Sequence, residues 1–119
     1  MAYEIIEIDG DVMRVRISGV MRLSDQNELQ SKALNLIEAG RKPRLLVATE
    51  DFEGWEKGAG WDDVGFLIDH GDQVVKIAIV GEDRWKEQAF LYIGKGLRAT
   101  EVEFYTPDLL QEAETWLTS

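Results

Sequence analysis

Along the first twenty residues apolar positions recur every second residue, and soon afterwards every third or fourth, so the chain predicts strands followed by a helix. Tyr3-Glu4-Ile5-Ile6-Glu7-Ile8 is short and rich in β-branched side chains. Val12-Met13-Arg14-Val15-Arg16-Ile17-Ser18 alternates, and we read Val12, Val15 and Ile17 as inward and Met13 as outward. The intervening Asp9-Gly10-Asp11 is a hairpin signal, because glycine accepts positive φ at no steric cost. Ser24 offers an N-cap with Asp25 in the first turn, and Leu29, Ala33, Leu36 and Ile37 follow at helical spacing. Gly40 and Pro43 end that helix.

Two short apolar runs, Arg44 to Thr49 and Val74 to Gly81, suit strands buried on both faces. Between them we expect a loop and then a helix from about Gly60 to His70. Asp83 to Ile93 reads as a further helix and Glu101 to Tyr105 as a last strand. Thr106-Pro107, a cap with proline at the first helical position, opens a helix carrying Leu109, Leu110, Ala113, Trp116 and Leu117. The expected order is β-β-α-β-α-β-α-β-α: one α/β domain over residues 1–119, with a five-stranded mixed sheet, a parallel interior and four helices.

Composition narrows the function. The 119 residues include no cysteine, which excludes disulfides, thiolate nucleophiles and cysteine-ligated metals. The opening Met-Ala-Tyr-Glu-Ile-Ile lacks the features of a signal peptide, and no run approaches the roughly 20 apolar residues of a spanning helix. A cytoplasmic protein is expected, with peripheral membrane association as the variant to test. The formal net charge of −10 disfavours nucleic acid. The basic groups Arg41-Lys42-Pro43-Arg44 and Lys95-Gly96-Leu97-Arg98 sit at expected helix ends, where cations offset the helix dipole.

Candidate chemistry is sparse. Glu50, Asp51, Glu53, Glu56, Asp62 and Asp63 fit no calcium loop and read as solvated surface. His70 is the one histidine, so no histidine pair can hold a metal, and at a helix end it reads as a cap. Gly58-Ala59-Gly60 and Gly94-Lys95-Gly96 meet neither the Walker nor the dinucleotide pattern. No catalytic residue, metal or cofactor is expected. The stronger signal is apolar. Trp61, Val64, Gly65 and Ile68 share one face of their helix, and Phe66 falls opposite. In the next helix Trp85, Ala89, Tyr92 and Ile93 share a face, while Phe90 and Leu91 lie off it. Each helix therefore carries more apolar surface than one sheet contact requires.

Asp51-Phe52-Glu53-Gly54-Trp55, Trp61-Asp62, His70, Ile77-Ala78-Ile79-Val80-Gly81 and Trp85 resemble the SpoIIAA-like family of small bacterial proteins, of STAS and CRAL-TRIO-related fold. Val102 to Tyr105 and Glu112 to Leu117 resemble that family's end. The resemblance implies the STAS-type α/β fold and no particular reaction. Sporulation anti-sigma-factor antagonists of this fold carry a phosphorylatable serine where this chain has Thr49. A phosphate there would face Glu50, Asp51 and Glu53 and be repelled. CRAL-TRIO proteins hold an apolar ligand between helices and sheet. The expectation is a non-enzymatic binding module for an apolar or lipid-like molecule or a membrane surface. Its candidate contacts are Asp51, Phe52, Trp55, Trp61, Phe66, Trp85, Phe90 and Leu91. The alternative is a STAS-type module for a protein partner or a second copy of itself, without the phospho-serine switch.

Overall fold

The hairpin forms where Asp9-Gly10 places it, with Gly10 at φ 60°. It joins β1 (Tyr3–Asp9) to β2 (Val12–Met21). This computed structural model describes residues 2–57, 74–93 and 100–119. After β2 come α1 (Leu23–Glu38), β3 (Arg44–Trp55) and β4 (Lys76–Val80). A 3-10 turn, Asp83–Trp85, runs into α2 (Lys86–Ile93); β5 is Glu101–Tyr105, and a second 3-10 turn, Pro107–Leu109, runs into α3 (Leu110–Leu117). Three helices rather than four thus stand among the described residues. The helix expected from about Gly60 to His70 lies outside them, as do Trp61 and Phe66.

The five strands lie in the order of the chain, β1-β2-β3-β4-β5. β1 is antiparallel to β2, and every later pair is parallel. Register aligns Met13 with Leu45, Leu45 with Ile77 and Ile77 with Val102, so these side chains share one face. That face is covered by α1 through Leu29 and Leu36 and by α2 through Ala89 and Phe90. Crossovers of one hand that always step to the next strand put their helices on the same side, which is what α1 and α2 do. The opposite face, with Leu46, Ala78 and Val80, is covered by Ala113 and Leu117 of α3.

Three expectations are corrected. Met13 points inward and is fully buried. It lies two residues from Val15, which packs in the same cluster, whereas Val12 belongs to the α3 face. The N-cap of α1 is Arg22, not Ser24. The buried carboxylate of Asp25, at the third helical position, accepts the Arg22 backbone N–H at 3.0 Å, the return bond of a capping box rather than the bond an N-cap serine would accept. The basic residue Arg44 offsets a helix dipole, but not that of the helix before it. Its guanidinium donates to the Leu117 carbonyl at 2.6 Å and to the Ser119 oxygen at 2.9 Å. Lys76 Nζ donates beside it to the Trp116 carbonyl at 3.0 Å. The first residues of β3 and β4 therefore neutralise the negative end of α3.

Candidate functional site

Ligands of open α/β sheets bind beyond the carboxyl ends of the parallel strands. Here that edge is shaped by an irregular strand. Sequence reading ended the third strand at Thr49 and gave Asp51 to Trp55 to a loop, but β3 continues to Trp55. β4 accompanies it only as far as Ala48, opposite Val80, so among the described strands the stretch of β3 from Thr49 to Trp55, more than half of it, is paired to β2 alone.

Two inserted residues disguise this strand. Ile17 to Gly19 spans the same length as Thr49 to Phe52, and Gly19 to Val20 the same as Phe52 to Gly54. Each mismatch is a bulge on β3. Left-handed backbone occurs at both, at Asp51 (φ 51°) and at Gly54 (φ 104°), and also at Gly19 (φ 67°) on the facing strand. Asp is among the few side chains that enter this region. The effect is to change parity. Leu45 and Val47 face α1, and without the bulge Phe52 would face away; with it Phe52 is buried beside Met13, Val15, Ile17 and Met21.

Phe52 anchors an aromatic cluster. Its ring meets Trp55 at a centroid distance of 4.9 Å and Trp85 at 5.1 Å, and the two indoles lie 5.9 Å apart, all edge to face. Such pairs contribute about 0.5–1.5 kcal/mol each beyond area burial. Gly54 makes room for Trp85: a Cβ there would lie 3.2 Å from Cη2 and 3.4 Å from Cζ3. The Arg84 guanidinium lies over the Trp85 ring, 4.8 Å from its centroid. The Nε1 of Trp85 is buried and has no hydrogen-bond acceptor among the described residues.

Neighbouring groups fix the edge. Glu56 accepts the Leu23 backbone N–H at 2.8 Å, and its own N–H donates to the Met21 carbonyl at 2.9 Å, so the end of β3 is tied to the start of α1. Thr49 Oγ1 donates to the Val80 carbonyl at 3.1 Å and sits against Gly81. That hydroxyl is half-buried and turned into the sheet. Burial raises the Tyr105 phenol above its ordinary value, with Glu103 and Glu112 adding to the shift, so it carries a proton throughout the physiological range.

The candidate residues therefore divide. Phe52, Trp55 and Trp85 come together. Asp51 is exposed and acts through its backbone. Phe90 packs edge to face on Phe104 at 6.2 Å, on the sheet rather than in the cluster. Leu91 is 77% exposed. The acidic residues do not converge: Glu50 pairs with Arg16 at 3.5 Å, Glu56 caps α1, and among the described residues no three potential ligands gather around a metal position. Asp62, Asp63 and His70 lie outside the described residues. What sequence reasoning missed was Gly54 as the partner of Trp85, because a contact across thirty residues leaves no local pattern.

A mixed five-stranded sheet with, among the described residues, two helices on one face, a third on the other and an aromatic carboxyl edge defines a small α/β protein of SpoIIAA-like fold. The chain belongs to the SpoIIAA-like family, whose model matches residues 12–118. Among solved structures it is similar to an uncharacterized protein of the DUF3478 family from Shewanella loihica PV-4, itself described as having a SpoIIAA-like fold. The TM-score is 0.66 at 24% identity, over 98% of this chain and 93% of that one. No curated protein matches the chain.

Proposed function

We propose that this protein is a non-enzymatic binding module that takes a small apolar or lipid-like molecule, or the surface of a membrane, at the carboxyl edge of its sheet and the helices that follow. The observation that carries this reading is the convergence of Phe52, Trp55 and Trp85 at that edge. It supplies apolar, polarisable surface where sheets of this kind take ligands, and the polar groups beside it are engaged in holding the backbone. No helix among the described residues is long and apolar enough to cross a membrane, so membrane contact would be peripheral. The net charge of −10 directs it toward uncharged lipid.

Native mass spectrometry of the purified protein, with tryptophan emission during titration by methyl octanoate or phosphatidylcholine vesicles, tests the reading. A co-purified apolar mass or a saturable blue shift is expected. A protein that carries nothing and whose emission ignores both additions overturns it.

A second reading, a surface for a protein partner or a second copy of the chain, is supported by Leu91, whose side chain projects from α2 at 77% exposure. Sedimentation velocity across a hundredfold concentration range separates the two. Leu91→Ser would abolish a concentration-dependent mass and leave ligand titration unchanged.

A further inference from the structure

We infer that the indole N–H of Trp85 is the donor that holds a carbonyl oxygen of an uncharged acyl group, an ester or amide, on the bound apolar molecule. The inference rests on the ligand-binding reading above and adds to it an atom and an acceptor. More than nine in ten buried polar groups in folded proteins have a hydrogen-bond partner, and a buried N–H without one costs about 1–3 kcal/mol. Among the described residues Trp85 Nε1 is such a group.

The position of the ring makes the vacancy directional. Cη2 and Cζ3, at the outer edge of the six-membered ring, are wedged against Gly54. Phe52 and Trp55 meet the ring edge to face. Nε1 belongs to the other ring, on the side away from Gly54, and rotating the indole to find an acceptor would break all three contacts. A phenylalanine in this place would keep an aromatic surface and leave no donor unsatisfied. The indole is worth its cost when an acceptor arrives with a ligand.

Charge selects the acceptor. The residues flanking the cluster in sequence include exposed Asp51, Glu53, Glu82, Asp83 and Glu87 against exposed Lys57, Arg84 and Lys86. Arg84 is itself paired with Glu82 at 3.2 Å. This rim repels a carboxylate or phosphate and tolerates a neutral carbonyl. Acyl carbonyls of that kind occur in small esters and at the interface of phospholipid bilayers, where indole side chains settle with ring in apolar surroundings and N–H toward an acceptor.

The test reads the indole proton itself. The chain has four tryptophans, and 15N labelling resolves their indole N–H signals; Trp85→Phe assigns the one in question. If that variant fails to fold, Trp55→Phe, Trp61→Phe and Trp116→Phe assign it by elimination. Methyl octanoate and nonane offer similar tails with and without the carbonyl. A downfield shift of the Trp85 indole proton is expected with the ester and not with nonane. The ester should bind wild type about tenfold more tightly than it binds Trp85→Phe, the effect of one satisfied hydrogen bond. Octanoate should bind more weakly than its ester. Phosphatidylcholine vesicles form a separate arm. A shift with vesicles and none with the free ester assigns the carbonyl to a bilayer, and the reverse assigns it to a soluble molecule. The inference is overturned, with the binding reading left standing, if ester and nonane bind equally and move the Trp85 signal alike, or if octanoate is preferred. If no addition binds at all, both fall together.

Discussion

Two glycines at the carboxyl edge are explained by the side chains opposite them. Gly54 is where Trp85 rests. A Cβ on Gly81 would collide with Thr49 Oγ1, the hydroxyl that donates to Val80 at 3.1 Å. Gly81→Ala should therefore cost about 2 kcal/mol through overpacking and the displaced hydrogen bond, and Thr49→Ala about 1 kcal/mol. Because the clash is with the very atom that Thr49→Ala removes, the double variant should fall short of the sum by about 1 kcal/mol. Urea unfolding of the four proteins measures this, and additive costs would refute the contact. At this scale residue types were legible and their reasons were not. The aromatic residues of the DFEGW stretch stood out by composition, yet the positive φ of Asp51 depends on the strand beside it. The face of Met13 cannot be read from the sequence, because Val12 and Val15 on either side of it fit two opposite phases.

Between elements, the hold of α3 on the sheet is mostly electrostatic at its margins. Arg14 on β2 donates to both carboxylate oxygens of Glu114, at 2.9 and 2.7 Å. The hydrogen bonds from Arg14 hold the Glu114 carboxyl below its ordinary range. A carboxyl depressed in the folded state contributes stability above its unfolded value, and loses it as pH falls through the folded one. The two side chains are 24% and 30% exposed, so the pair is only partly screened and contributes about 1 kcal/mol. Glu114→Gln should thus be less stable than wild type at pH 7, and the two curves should converge as pH falls below the carboxylate range. A gap that persists at pH 2.5 would show that packing, not charge, joins α3 to the sheet. The strands and α3 could be read from apolar periodicity. The continuation of β3 could not, since two inserted residues break the period of two that reveals a half-buried strand. Nor could the partner of Arg44 be read, because the helix end it serves lies seventy residues away.

For the molecule as a whole, the mixed sheet and its helical cover were legible because alternating strands and helices admit few arrangements. Among the described strands β1 and β5 end the sheet, and both carry exposed carboxylates, some of them paired with a cation of the neighbouring strand. β1 exposes Glu4 and Glu7, and β5 exposes Glu101 and Glu103. Like charges on an edge oppose its pairing with the edge of another copy. Replacing Glu101 and Glu103 with Val should produce species larger than the monomer in sedimentation velocity at neutral pH; an unchanged profile would mean that shape rather than charge protects β5. The strand order β1-β2-β3-β4-β5 has a further consequence, for the way the sheet is built. Each strand takes its place beside the one made just before it, so no pairing has to close more than one crossover, and the closure entropy is spread over successive steps. During synthesis the strand that has last emerged is always the template for the next. The molecule can be assembled from one edge to the other in the order in which it is translated, and β5 and α3 complete it last.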